Sequence, residues 1–358
     1  MAVIHITSRA DQGGGPEHVK NLVEGLISNG VDCYIACPPD KPYYQVFSDL
    51  VGKINVIEIP HRKFEVRALL GLVSFVRKNN ITIVHSHGKG AGVYSRLLRL
   101  FCKSKIVHTF HGFHVGEYGK FKKAVYACYE SLLSLLTDRF ICVSNTELQQ
   151  ISDYLPIKID KKTSVVVNGV DSTVVSNEVD CERHAIYVVS RYDYQKNTKE
   201  LIEALYILKE EHISPKVVIY GDGEGKCEIQ GLCRKYSLDN VRLAGNVKSP
   251  RSNYSDAKVF INTSRWEGLP FAPLEAMAEG VPCILSNVTG NRELIRSGEG
   301  GWLYESGNVR ELSSLIKASL KLEGVAWQKM SDDAKVVVEG NYSKGLMVKE
   351  TLNTYRLL

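Results

Sequence analysis

Short β-branched apolar runs alternate with segments of helical period along most of this sequence, and few folds satisfy that alternation. Val3-Ile-His-Ile-Thr7 reads as a strand. After a glycine-rich loop, residues 17–28 place Val19, Leu22, Val23, Leu26 and Ile27 on one helical face. Strands are predicted at 32–37, 54–59, 81–86, 105–109, 140–144 and 164–167, with helices at 66–78, 91–101 and 122–136. Residues 172–184 have no period and read as a connection. A second series starts at 185–190, with helices at 198–211, 225–236 and 273–279 and strands at 216–220, 241–243, 258–263 and 282–286. Strand and helix in turn imply parallel sheets covered by helices on both faces. A chain of 358 residues is too long for one ordinary core and suggests two such domains.

Composition narrows the class. The hydrophobic content of 44% and charged content of 24% are those of a globular protein, and no apolar run reaches the ~18 residues of a membrane span. The opening lacks a basic, apolar leader, so a cytoplasmic protein is expected. The nine cysteines are an odd number scattered through apolar runs. Cys33 and Cys37 have no second ligand pair, and reduced, core-filling thiols are expected. Residues 1–175 hold 21 Lys and Arg against 15 Asp and Glu, and the remainder 24 against 25. The basic excess therefore lies in the first half.

Three stretches bear on chemistry. Asp11-Gln-Gly-Gly-Gly-Pro16 joins a strand to a helix, and Gly13, Gly14 and Gly15 let backbone amides approach an anion. The spacing is not that of a dinucleotide fingerprint, and Cys37-Pro-Pro stands where an acidic residue would be needed. Ser190-Arg-Tyr-Asp-Tyr-Gln-Lys-Asn197 sets Arg191 and Lys196 in a loop before a helix start, an arrangement suited to a diphosphate. Ser264 to Pro282 follows a buried strand, with Glu267 in the loop and Glu275 expected in the first turn of the next helix. Ligands of open α/β sheets bind at such strand ends. His85, His87, His108, His111 and His114 gather near strand ends, without the helical spacing or carboxylate partner of a zinc site.

Ser190-Arg…Lys196-Asn, Tyr220-Gly-Asp-Gly223 and Glu267-Gly-Leu-Pro-Phe-Ala-Pro-Leu-Glu275 together resemble the retaining, family-4 glycosyltransferases of GT-B fold. His108-Thr-Phe-His-Gly112, Cys142-Val-Ser144 and Asn168-Gly-Val-Asp171 agree, so the resemblance covers nearly the whole chain in order. It implies two Rossmann-like doubly wound domains facing a central cleft. Residues 1–172 would bind the acceptor and 173–341 the nucleotide-sugar. Residues 342–358 would form a helix crossing back to the first domain.

The resemblance also assigns roles. Arg191 and Lys196 hold the donor diphosphate and stabilise it as it leaves. Glu275 accepts hydrogen bonds from the ribose. Glu267 and the amides around Leu269, Pro270 and Phe271 hold the donor sugar, and His111 reaches that sugar from the opposite domain. Gly14 and Gly15 lie against the phosphates, Gly13 and His114 near the acceptor, Gly221 near the donor, and Asn246 and Val247 against the base. Transfer is expected from a UDP-linked hexose or N-acetylhexosamine to a lipid-linked saccharide, without cofactor or metal, since no Asp-x-Asp motif occurs. A GDP-mannose donor and a sugar-nucleotide epimerase of the same fold are the alternatives. Lys120, Lys122 and Lys123, interleaved with aromatics at 113–129, together with Arg62, Lys63 and Arg67, suggest a face for anionic lipid on the inner side of the cytoplasmic membrane. No nucleic-acid motif is visible.

Overall fold

The computed structural model describes residues 1–112, 119–171, 183–247, 250–254, 256–295 and 298–358. They form two units, Met1–Gly169 with Lys344–Leu358, and Val170–Ser343.

The first unit is built on β1 (Ala2–Thr7), β2 (Asp32–Cys37), β3 (Val56–Glu58), β4 (Ile83–His87), β5 (Lys105–Thr109), β6 (Arg139–Cys142) and β7 (Thr163–Val165). All pairs are parallel, in the order β3-β2-β1-β4-β5-β6-β7. Between them run α1 (Gly14–Ser28), α2 (Tyr43–Val51), α3 (Val66–Lys78), α4 (Gly88–Leu98), α5 (Lys120–Ser134) and α6 (Asn145–Tyr154). β1, β4 and β5 are buried on both faces, and the polar side chains of His5, His85, Ser86, His87, His108 and Thr109 are enclosed with them. The strand expected at 54–59 is shorter, because Lys53–Asn55 forms a 3₁₀ turn that leaves Ile54 exposed.

The second unit holds β8 (Ala185–Val189), β9 (Val217–Tyr220), β10 (Val241–Gly245), β11 (Ala257–Asn262), β12 (Cys283–Ser286) and β13 (Gly301–Tyr304), all parallel, in the order β10-β9-β8-β11-β12-β13. Its helices are α7 (Thr198–Glu210), α8 (Lys226–Lys235), α9 (Phe271–Ala278), α10 (Asn291–Leu294), α11 (Val309–Lys321) and α12 (Gly324–Asn341). α9 begins two residues before the expected start, so Glu275 lies beyond the first turn. Pro273 is tolerated there because first-turn amides have no partner within the helix.

In both sheets the chain starts in the middle, winds outward one way, then returns to wind the other. Strand order thus reverses between β1 and β4 in the first unit and between β8 and β11 in the second. Loops leaving these neighbours diverge to opposite faces, opening a crevice at the C-terminal strand ends.

The last helix, α13 (Lys344–Arg356), belongs to the first unit. Met347, Val348 and Tyr355 pack into the core with Val19, Leu22 and Leu26 of α1. The approach is close enough that a Cβ on Gly25 would lie 2.3 Å from Val348 Cγ2. Lys344 adds an ion pair to Glu24 at 2.6 Å. Among the described residues no helix is long and apolar enough to cross a membrane.

The helix contact yields a direct test. Gly25→Ala gains about 0.8–1 kcal/mol of helix propensity, but the added methyl overlaps a stiff β-branched side chain. A net loss of about 1–2 kcal/mol is expected in urea unfolding, and unchanged stability would contradict the packing described.

Candidate active site

The reversal point of the second unit brings together two loops far apart in sequence. Lys196 comes from the loop after β8, and Glu267 from the loop after β11. Lys196 Nζ donates to Glu267 Oε1 at 2.5 Å. The same oxygen accepts from Ser264 Oγ at 2.6 Å and faces Asn262 Nδ2 at 3.5 Å. Glu267 is buried. Burial alone would push its carboxyl up, but the Lys196 ammonium and the hydrogen bonds from Lys196, Ser264 and Asn262 outweigh it and hold the group below its usual value. Glu267 is therefore an anion at neutral pH.

A buried polar frame keeps that loop in place. Asn291 Nδ2 donates to Asn262 Oδ1 at 3.1 Å and to Ser286 O at 3.0 Å, while Ser286 Oγ donates to Ser264 O at 2.6 Å. Gly290 backs the loop with φ 80°, and a Cβ there would lie 2.4 Å from Gly268 O. Across the crevice, Thr263 Oγ1 donates to Lys196 O at 2.9 Å and Gln195 Nε2 to Trp266 O at 3.0 Å. Arg191 pairs with Asp193 at 2.9 Å and donates to Gln195 Oε1 at 3.2 Å. The loop passes into α7 through Asn197 in the left-handed region, φ 50°.

The remaining donor candidates are positioned as follows. The side chains of Leu269, Pro270 and Phe271 are buried, so their backbone is what the loop can offer. Gly221, at the end of β9 with φ 136°, touches the 190 loop so closely that a Cβ would lie 2.0 Å from Ser190 O. Glu275 is half-buried on α9, Asn246 is exposed, and Val247 half-buried, both beyond β10.

The reversal point of the first unit is lined by histidines. In the β1–β4 pairing His5 lies opposite His85 and Thr7 opposite His87. His5 Nδ1 is 3.0 Å from His87 Nε2, and His87 Nδ1 is 3.1 Å from His111 Nε2. His18 of α1 bonds Asn168 Oδ1 through Nδ1 at 2.8 Å and sets its ring edge-on to His111, centroids 4.4 Å apart. His85 bonds Tyr355 and Thr109, each at 2.7 Å, and His108 bonds Ser86 at 2.9 Å. Burial is the first cause that pushes His5 down to about 3 and His18 to about 4, and it holds His85, His87, His108 and His111 well below the usual range. The cluster is neutral. Nitrogens of His5, His85 and His87, and of His18, His87 and His111, approach within 4.8 Å of one another, two groups of ligating type that share His87 and both belong to the first unit.

Residues without an assigned role support His111 and the glycine loop. The buried Glu147 carboxylate accepts from Gly112 N and from Val143 N at 2.7 Å. It sits in a Ser144-x-x-Glu147 sequence whose serine caps α6, a signal readable in advance as a capping box. Arg9 grips Asp11 through two bonds of 2.7 Å and braces Gly13 at the cap of α1. A Cβ on Gly15 would meet no described neighbour. His114 lies outside the described residues. Cys33 and Cys37 are buried, which pushes their thiols up to about 12.

α5 is apolar on its outer side as well. It buries Glu130, Ser131, Leu133 and Ser134 and exposes Phe121, Val125, Tyr129 and Leu132, with Leu135 just beyond. Glu130 is held inside by Arg96 of α4 at 2.9 Å, both side chains fully enclosed. Val66 and Leu70 are exposed on α3, beside Arg62, Lys63 and Arg67.

The model described as Glycosyltransferase Family 4 matches residues 12–174, and that described as Glycosyl transferases group 1 matches residues 173–337. An Escherichia coli protein named UDP-Gal:alpha-D-GlcNAc-diphosphoundecaprenol alpha-1,3-galactosyltransferase is 30% identical over 72% of this chain and 70% of its own. The O-antigen biosynthesis glycosyltransferase WbnH of Escherichia coli is 28% identical over 94% of this chain and 96% of its own. Among solved structures, HepE of Anabaena, in complex with UDP and glucose, matches all of both chains with a TM-score of 0.85 at 15% identity.

The histidines predict acid lability. The unfolded chain protonates them below about 6.5, whereas the fold keeps His18 neutral to about 4 and His5 to about 3. Their contribution is complete above pH 6.5 and is lost as pH falls toward those values, by up to about 2 kcal/mol per histidine at pH 5. Tm should therefore drop by several degrees between pH 7.5 and 5.0, and a flat profile would contradict the neutral cluster.

Proposed function

The chain belongs to the family-4 glycosyltransferases and has their GT-B fold, and from that premise we propose that it moves a hexose or N-acetylhexosamine from a UDP-linked donor to a lipid-linked saccharide, with retention and without a metal ion. The observation that carries this reading is the Lys196–Glu267 pair at the reversal point of the second unit, framed by Asn262, Ser264 and Asn291. Support for the donor class comes from the relative whose name specifies UDP-Gal and from the HepE complex with UDP. Support for the acceptor comes from that relative's diphosphoundecaprenol-linked sugar.

The chemistry follows from charge. As the anomeric C–O bond to the diphosphate breaks, positive charge grows on the sugar ring and negative charge on the leaving group. Lys196 and Arg191, at the start of α7, stabilise the departing diphosphate. Glu267 fixes the Lys196 ammonium and, with backbone groups at 269–271, holds sugar hydroxyls. Glu275 takes the ribose, Gly221 lies beside the donor, and backbone at Asn246 and Val247 meets the base. In the first unit His111 meets the donor sugar, Gly14 and Gly15 the phosphates, and Gly13 and His114 the acceptor. The acceptor hydroxyl attacks C1 on the face the diphosphate leaves, and its proton passes to the departing phosphate oxygen.

The acceptor's lipid gives the exposed face of α5 a purpose. Phe121, Val125, Leu132 and Leu135 enter the lipid interface while Lys120, Lys122 and Lys123 meet anionic headgroups, at about 1 kcal/mol per basic residue. The protein is then peripheral on the cytoplasmic face of the membrane.

Glu267→Ala is expected to lower kcat by about 10²–10³-fold, and Lys196→Ala to abolish both transfer and thermal stabilisation by UDP. Near-normal turnover in either folded variant, or stabilisation by GDP instead of UDP, would overturn the assignment. Phe121→Ser with Leu132→Ser should release the protein from phosphatidylglycerol vesicles in flotation while leaving transfer to a soluble acceptor intact. Unchanged flotation would dismiss α5 as the docking face.

A further inference from the structure

We propose that His5 and His87 are positioning residues which fix His111 as its Nδ1–H tautomer, through two hydrogen bonds running across the edge of β1 and β4 to the loop after β5.

Each neutral imidazole has one N–H donor and one bare acceptor nitrogen. The chain of contacts is His5 Nδ1 to His87 Nε2 at 3.0 Å, then His87 Nδ1 to His111 Nε2 at 3.1 Å. Only two arrangements make both bonds. In one, His5 Nδ1–H donates to His87 Nε2, and His87 Nδ1–H donates to His111 Nε2. In the other every proton is reversed, and His5 carries its hydrogen on Nε2.

The far end of the chain decides between them. His5 is fully buried, and its Nε2 has no hydrogen-bond partner among the described residues. Reversal would bury an N–H donor without an acceptor, costly enough that orphaned donors are rare in folded proteins. The first arrangement leaves only a bare nitrogen there. Burial also keeps all three rings neutral, so no added proton can satisfy both ends at once. A cation held by His87 Nδ1 and His111 Nε2 needs both of those nitrogens bare. It would force the same orphaned donor onto His5.

His111 is suited to receive this instruction. It is half-buried where His5 and His87 are buried, and its backbone stands in the left-handed region at φ 59°. The next amide, Gly112 N, is locked to Glu147. With Nε2 taken as an acceptor, His111 has Nδ1–H to give. It donates a hydrogen bond to a sugar oxygen and does not act as a base. This role for the ring rests on the function proposed above, whereas the tautomer does not.

Ring-nitrogen NMR on the full chain with ¹⁵N-labelled histidine, at pH 7.5, reads the tautomer without any substrate. Wild-type His111, His87 and His5 are expected to be protonated on Nδ1 and bare on Nε2. His87→Asp presents only acceptor oxygens and should move the His111 proton to Nε2, with kcat lowered about 10–100-fold and the donor KM changed less. His87→Asn keeps an amide N–H near the Nδ1 position and should keep the tautomer and lose less activity. His111 protonated on Nε2 in the wild type, or an unaltered tautomer in His87→Asp, overturns the proposal. If the tautomer moves as expected yet neither His87→Asp nor His111→Ala loses transfer, the relay stands and the contact assigned to His111 is what fails. Should a His87 variant not fold, the wild-type spectrum alone decides.

Discussion

Parallel pairing is the constraint on which the rest depends. Parallel neighbours cannot be joined by a tight hairpin, so each strand is followed by a crossover, and all loops leaving strand ends collect at one edge. In both sheets the winding direction reverses once, between β1 and β4 and between β8 and β11. Those two pairs are where the candidate chemistry sits, histidines in one unit and a lysine–glutamate pair in the other. The fold supplies the location, and local sequence supplies its character.

The two crevices solve the burial of polar groups in opposite ways. In the second unit a carboxylate stays ionised because it has a lysine and two neutral donors around it. Removing one partner of such a pair typically costs about 3–5 kcal/mol, so the site is stiff by necessity. In the first unit the polar groups are kept uncharged and matched to one another. The Arg96–Glu130 pair follows the first solution away from any strand end, and it lets α5 bury a carboxylate while Phe121, Val125 and Leu132 face outward.

Much of this was legible in the sequence. Strands β1 to β12, the glycine loop, and the loops carrying Arg191, Lys196 and Glu267 followed from period and turn chemistry, whereas β13 and the helices α2, α6, α11 and α12 were not anticipated. The pairing of Lys196 with Glu267 did not, because it spans 71 residues and depends on β11 lying beside β8. His5 and His18 were missed since an isolated histidine in a strand or helix pattern has no signature, and only the register opposite His85 and His87 collects them. Glu147 had a readable signal in its capping-box spacing. Which face α5 buries was not readable, because it is decided by Arg96 on a different helix.

The return of the chain to its first unit has a consequence for synthesis. α13 is made after the whole second unit, yet it supplies Met347, Val348 and Tyr355 to the core around α1 and the hydroxyl that bonds His85. Domains usually fold in the order in which they leave the ribosome. Here the earlier-made unit stays unfinished until the later one is complete, with the α1 surface that α13 covers open to solvent. A nascent chain halted near residue 340 would therefore hold a closed second unit and an uncapped first one. The first unit is the one such a chain would expose to chaperones.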